Sequence, residues 1–174
     1  MAYEAIRMAN PGGMGRVQDH DISDTDVNIT LLAAMELAKE RDSIAGEYAT
    51  GYEITLDIGL PALESTLAKG IHILEAVTQT YLIILSEKPD SLIARKNGMD
   101  KAREITRIAT GVIKSGGIFS KKGLREIRGL DSLLRGNIKN SSSLNPGTTA
   151  DLTAAVLFVY LMKNDLKIIS VKTD

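Results

Sequence analysis

The chain has 174 residues, 21 basic and 22 acidic side chains and a formal charge of -1, so it is long enough for one domain with a real core and lacks the basic excess of a dedicated nucleic-acid binder. Hydrophobic residues at 44% and charged residues at 25% exclude a disordered chain. The absence of cysteine excludes a disulfide scaffold, a thiolate metal site and a thiol nucleophile, and two histidines, His20 and His72, exclude a His-rich metal centre.

The N-terminal stretch Met1 to Met8 carries charges and no apolar run, so no signal peptide is read there. Asn10-Pro-Gly-Gly-Met-Gly-Arg16 follows, too rich in Gly and Pro for helix interior. Its backbone amides at Gly12 and Gly13 can cradle an anion, with Arg16 adding a charged fork; an ordinary connection between helices is the plainer reading. Asp19, Asp21, Asp24 and Asp26 form an acidic loop in which Asp19 and Asp21 are weak candidates for a divalent cation. The pattern is not an EF-hand, because the loop glycine is missing and Thr30 stands at the final ligand position. Asp26 is expected to cap a helix carrying Leu31, Leu32, Met35 and Leu37.

Ile44, Tyr48 and Tyr52 lie four apart and predict another helix, interrupted by Gly59 and Pro61. Within that break Asp57 has apolar neighbours on both sides. Facing inward, it would have a raised pKa and suit general-base work; facing outward, it is the polar side of an amphipathic turn. A helix over Ile71 to Leu85, stopped by Pro89, places His72 as a helix residue without catalytic duty. Arg95 and Lys96 then end a short apolar stretch. They either complement a helix end or reach a polyphosphate.

Ala102, Ile105, Ala109 and Val112 trace one helical face within Met99 to Ser115, leaving Lys101, Glu104 and Arg107 for water, and Gly116 and Gly117 suit a left-handed stop. Leu124, Ile127, Leu130 and Leu134 repeat the pattern up to Gly136 and Asn137. The last helix runs from Thr149 to about Lys163. Its apolar run, Leu152 to Met162, is too short for a bilayer, which takes about 20 residues. Only Ile168 to Val171 looks strand-like, with nothing to pair with. Low aromatic content, 4%, leaves Ile, Leu, Val, Ala and Met to fill helix-on-helix contacts. The expectation is an all-α bundle of six to eight helices forming a single domain over residues 1–174, soluble and cytoplasmic.

Charge is unevenly spread. From Val17 to Glu64 eleven acids stand against two bases, and from Lys114 to Lys139 seven bases stand against two acids. One end can attract cations and the other a polyanion, although charge runs more often mark solvated helix faces.

The sharpest local feature is Asn145-Pro-Gly-Thr-Thr-Ala-Asp151. Gly147 lets backbone approach a ligand, and the helix that follows offers unpaired N–H groups to a phosphate, with Thr148 or Thr149 supplying a hydroxyl. The plainer alternative is a capping box of Thr148 with Asp151.

Together, Asn10 to Arg16, Arg41-Asp42-Ser-Ile-Ala45, Asp57-Ile-Gly-Leu-Pro-Ala-Leu63, Leu92-Ile-Ala-Arg-Lys96 and Leu144 to Leu152 resemble the triphosphoribosyl-dephospho-CoA synthase family, over about Glu4 to Leu161. The resemblance implies an all-α fold, ATP as substrate with Mg²⁺, and transfer of the triphosphoribosyl group to 3′-dephospho-CoA with release of adenine. It implies phosphate binding by Gly12, Gly13, Arg16, Arg95 and Lys96, and ligand orientation by Asn145, Gly147, Thr148 and Thr149. Asp57 or Asp151 is the implied catalytic carboxylate. Its small-molecule partners are nucleotides, with no role for nucleic acid or membrane. Family members also carry an upstream section that contributes to the nucleotide site and precedes the start of this chain, so a complementary N-terminal chain or a homo-oligomer is expected. The alternatives are a non-catalytic helical module that completes a site with another chain, and a nucleotide-binding hydrolase.

Overall fold

The computed structural model describes residues 2–9, 20–21, 28–136 and 144–164, and every regular element among them is helical. The expected all-α bundle is what these residues form, with nine α-helices among them: α1 (Ala2–Ala9), α2 (Leu31–Ala38), α3 (Ser43–Thr50), α4 (Leu60–Leu67), α5 (Ile73–Glu87), α6 (Ser91–Asn97), α7 (Met99–Lys114), α8 (Lys121–Arg135) and α9 (Gly147–Lys163). A π-helical turn, Ile54–Gly59, leads into α4, and a 3₁₀ turn, Gly117–Phe119, joins α7 to α8. The strand-like Ile168 to Val171, the cap Asp26 and the stop Asn137 all lie outside the described residues.

Capping chemistry sets most of the boundaries. Thr30 caps α2, its hydroxyl accepting from the Ala33 N–H at 3.1 Å. Asp42 caps α3 through the Ile44 and Ala45 N–H groups. That helix closes at Gly51 in the left-handed region (φ 74°), so Tyr52 falls past its end. The expected break at Gly59 and Pro61 does not occur. Pro61 sits in the first turn of α4, and the helical path runs through it from the π-turn without a break. His72 is the cap of α5 and not a residue within it; its Nδ1 accepts from the Leu74 N–H at 3.3 Å.

Helix α5 lies at the centre and feeds two apolar clusters. On one side Leu82 and Leu85 meet Ile93 of α6, Ala102, Ile105, Ala109 and Val112 of α7, and Leu130 of α8. On the other, Ala76 and Ile84 meet Ile54 of the π-turn, Leu63 of α4, and Leu152 and Val156 of α9. The α7 stripe is buried as its spacing predicts, and Gly116 ends that helix with a φ of 101°. In α8 the stripe is only partly used: Leu130 is buried, Ile127 and Leu134 pack at the edge of the first cluster, and Leu124 is exposed. No helix among the described residues is long and apolar enough to cross a membrane.

Candidate functional site

Three helices begin at one place, two of them tied by Asp90 and the third by its neighbour Ser91. The Asp90 carboxylate is buried, and one oxygen, Oδ1, accepts from the Leu92 and Ile93 N–H groups, both at 2.9 Å, capping α6. The other, Oδ2, accepts from the Thr149 N–H at 2.7 Å and the Thr149 hydroxyl at 2.8 Å, capping α9. One side chain thus satisfies the first-turn donors of two helices 59 residues apart in sequence. Beside it, the hydroxyls of Ser91 and Thr148 lie 3.0 Å apart, and the Ser91 hydroxyl also accepts from the Ser43 N–H at 3.2 Å, which draws in the start of α3.

This corrects the reading of the Asn145 to Asp151 segment. No Thr148–Asp151 capping box forms, because the residue before α9 is Pro146 and no side chain from the segment itself caps the helix. The donors that were expected to meet a phosphate at Thr149 are taken by Asp90, and Thr148 and Thr149 are buried. They hold the frame. Gly147 is where backbone approaches closely: a Cβ there would come within 2.6 Å of the Leu92 side chain, so the glycine lets α6 and α9 meet. Nearby, Tyr81 has its pKa pushed well above the ordinary value of 10.0, first by burial and then by the negative charges of Asp90 and Asp131.

What this frame presents to solvent is charged. Arg95 and Lys96 are exposed on the last turn of α6, and Asn145 and Asp151 are exposed at the start of α9. Neither Arg95 nor Lys96 forms an ion pair among the described residues. Asp57 is also exposed, which realises the outward-facing alternative, and it lies on the π-turn, itself packed against α9. Helix α6, with Arg95 and Lys96, and the π-turn, with Asp57, therefore both pack on α9, which carries Asp151 and follows directly on Asn145. Gly12, Gly13, Arg16 and Asp19 lie outside the described residues.

Sequence reasoning missed two buried acids that shape this region. Asp90 is one; Pro89-Asp90-Ser91 ahead of an apolar turn is a readable cap signal for α6, but nothing local announces its bond to α9. Glu47 is the other: 3% exposed, it accepts from the Ile54 and Thr55 N–H groups at 2.8 and 2.9 Å and so starts the π-turn that carries Asp57. Gly59 at the end of that turn has no room for a Cβ against the Val156 side chain of α9.

Asp21 is buried, and no group of three or more His, Asp or Glu side chains suited to holding a metal occurs among the described residues. Among the described residues, Mg²⁺ would fit as a water-rich ion brought by a polyphosphate and touched by one carboxylate, a mode in which Mg²⁺ commonly binds. An open hollow of about 460 Å³ lined by Asp100, Arg103, Thr106 and Arg107 lies on α7 and includes none of these site residues.

Comparison with known proteins agrees with the resemblance. Residues 1–170 match the family described as CitG: ATP:dephospho-CoA triphosphoribosyl transferase. The chain is 22% identical over 163 residues to the probable 2-(5''-triphosphoribosyl)-3'-dephosphocoenzyme-A synthase of Malonomonas rubra, covering 94% of this chain and 50% of that protein. Its identity to the probable synthase of Photobacterium profundum is 28% over 121 residues, covering 70% and 37% of the two chains. To the synthase of Pectobacterium atrosepticum it is 29% over 115 residues, covering 66% and 35%. The chain thus spans half or less of the length of these relatives. No solved structure matches it. With the family match running through nearly every residue, this chain belongs to the ATP:dephospho-CoA triphosphoribosyl transferase family.

Proposed function

We propose that this chain binds ATP and takes part in transferring its triphosphoribosyl group to 3′-dephospho-CoA. The observation that carries this reading is the family match over residues 1–170. The pinned start of α6 and α9, which holds together the segments bearing two exposed cations and an exposed Asn and Asp, supports it.

In the reaction a hydroxyl of dephospho-CoA attacks C1′ of the ATP ribose. A C–O bond forms as the bond from C1′ to adenine breaks, the hydroxyl proton leaves through a base, and adenine departs protonated. The triphosphate stays on the product. Positive charge gathers on the ribose ring as adenine leaves, so a carboxylate beside the ring lowers the barrier and a carboxylate beside the hydroxyl takes its proton. Asp151 and Asp57 are the two candidates, both exposed and both on elements packed together. Arg95 contributes a bidentate phosphate contact and Lys96 a point charge. Asn145 orients ligand while Thr148 and Thr149 fix its loop. Mg²⁺ would supply charge neutralisation on the triphosphate, held on the protein side by Asp151 or Asp57. Arg16, Gly12 and Gly13 belong to the same reading as phosphate ligands, and Asp19 and Asp21 as weaker metal candidates. We place the reaction in the cytoplasm, where its nucleotide substrates occur.

The test mixes protein, ATP, Mg²⁺ and 3′-dephospho-CoA and follows free adenine by chromatography. Adenine release dependent on dephospho-CoA supports the transferase, whereas phosphate release without adenine replaces it with a hydrolase. Because Arg95 and Lys96 are exposed and form no ion pair among the described residues, Arg95→Ala and Lys96→Ala should each weaken ATP binding about tenfold, measured by calorimetry, with the melting temperature unchanged. Full ATP affinity in both variants removes them from the site.

A further inference from the structure

Arg103 and Arg107 of α7 are exposed and one turn apart, a spacing at which like charges disfavour a helix, and neither forms an ion pair among the described residues. Glu104, three residues before Arg107, bonds Lys101 instead at 2.5 Å. Arg107 folds back along the helix, its Nε donating to the Arg103 carbonyl at 3.4 Å, which brings its guanidinium towards the turn that carries Arg103. Both arginines line the open hollow of about 460 Å³, together with Asp100 and Thr106. Thr106 adds an independent sign. The hydroxyls of Thr66, Thr78, Thr80, Thr110 and Thr153 each donate to the carbonyl four residues back. That of Thr106 is buried and has no hydrogen-bond partner among the described residues.

We propose that this hollow binds the diphosphate of a small-molecule ester that carries a hydroxyl beside its phosphates. Two guanidinium groups one turn apart suit two adjoining phosphoryl groups, each met by a charge-assisted fork. Arg107 spends only its Nε on the helix, so its terminal N–H groups stay available. The Thr106 hydroxyl, placed between the two arginines in sequence, supplies a further donor and gains the partner it lacks. Asp100 is the counterweight. A carboxylate accepts only, so it repels a bare anion and favours a ligand that offers a sugar hydroxyl next to its phosphates.

The site stands on its own residues. Which substrate fills it rests on the proposed reaction, in which two phosphate-bearing molecules must be held at once. Arg95 and Lys96 serve the triphosphate there, and the hollow takes the diphosphate of 3′-dephospho-CoA. The two sets of cations lie on helices packed together, with Asp100 four residues past Lys96 across the bend at Gly98 (φ 90°).

Calorimetry on the full chain, at fixed ionic strength and without Mg²⁺, tests this with inorganic diphosphate and then with 3′-dephospho-CoA. Arg103→Ala and Arg107→Ala should each weaken inorganic diphosphate about tenfold, and Thr106→Val several-fold, with the melting temperature of the arginine variants unchanged because both side chains are exposed. Lys114→Ala removes the same charge from the last turn of α7, outside the hollow, and should leave that affinity as it was. No diphosphate binding by the unaltered chain, full affinity in the two arginine variants, or an equal loss in Lys114→Ala overturns the site. The choice of substrate is read separately. Arg103→Ala and Arg107→Ala should weaken 3′-dephospho-CoA and spare ATP, whereas Arg95→Ala does the reverse, and Asp100→Asn should lower the preference for 3′-dephospho-CoA over inorganic diphosphate several-fold. An acceptor affinity untouched by both arginine variants removes dephospho-CoA from the hollow while the diphosphate site stands. Diphosphate binding needs no turnover, so its failure is distinct from a failure of the transferase assay.

Discussion

Two buried threonine hydroxyls have opposite circumstances. That of Thr149 donates to the Asp90 carboxylate at 2.8 Å, whereas that of Thr55, in the π-turn, has no hydrogen-bond partner among the described residues. The same substitution should therefore act in opposite directions. Thr149→Val removes a charge-assisted bond and should cost about 2 kcal/mol. Thr55→Val exchanges an unsatisfied hydroxyl for a methyl of the same shape and should be neutral, or stabilising by up to about 1 kcal/mol. Urea denaturation of the two variants checks both signs, and equal destabilisation would mean that Thr55 is bonded in solution. At this scale the placement of the candidate residues was legible where their signal is local. Arg95, Lys96 and Asp151 are exposed, charged and at helix ends, as their spacing suggests. Asp90 was not legible as the organising residue because half its bonds go to α9, and the capping role offered to Thr148 belongs to it. A sequence shows a cap to its own helix and is silent about a cap to another.

Among the elements, the π-turn joining α3 to α4 fits least with simple patterning. Its widened turn brings the backbone at Gly59 against Val156, and Glu47 terminates its free N–H groups from seven and eight residues back. Wide turns of this kind recur at functional sites, and this one carries Asp57. Gly59→Ala should drive its Cβ into the Val156 side chain and cost about 2 kcal/mol. Adding Val156→Ala removes the opposing methyls, so the double variant should be less destabilised than the sum of the singles by roughly 1 kcal/mol in a denaturation cycle. Strict additivity would mean that the two elements do not press together. The helices with a clean period were readable: α7 buries the four residues its stripe names. The π-turn was not, since inserting a residue into a helical ladder leaves no periodic mark, and Gly59 with Pro61 reads as a break when the chain in fact continues helical.

The molecule as a whole is organised by α5, which supplies Leu82 and Leu85 to one apolar cluster and Ala76 and Ile84 to the other. Neither cluster keeps a complete wall if α5 is lost, and Asp90, just past the end of that helix, also ties α6 on the first side to α9 on the second. The two clusters should therefore unfold as one unit, not as separable halves. Ile105→Val trims the first cluster and Ile84→Val the second, each at a position no more than 1% exposed, so each should cost about 1 kcal/mol. In a two-state unit both substitutions lower the same urea midpoint, their effects add in the double variant, and the slope of the transition stays constant. Hydrogen exchange supplies the decisive contrast: amides in α7 and α9 should lose protection together in either variant. Protection lost only in α7 for Ile105→Val and only in α9 for Ile84→Val would show that α5 is a boundary between two independent folding units.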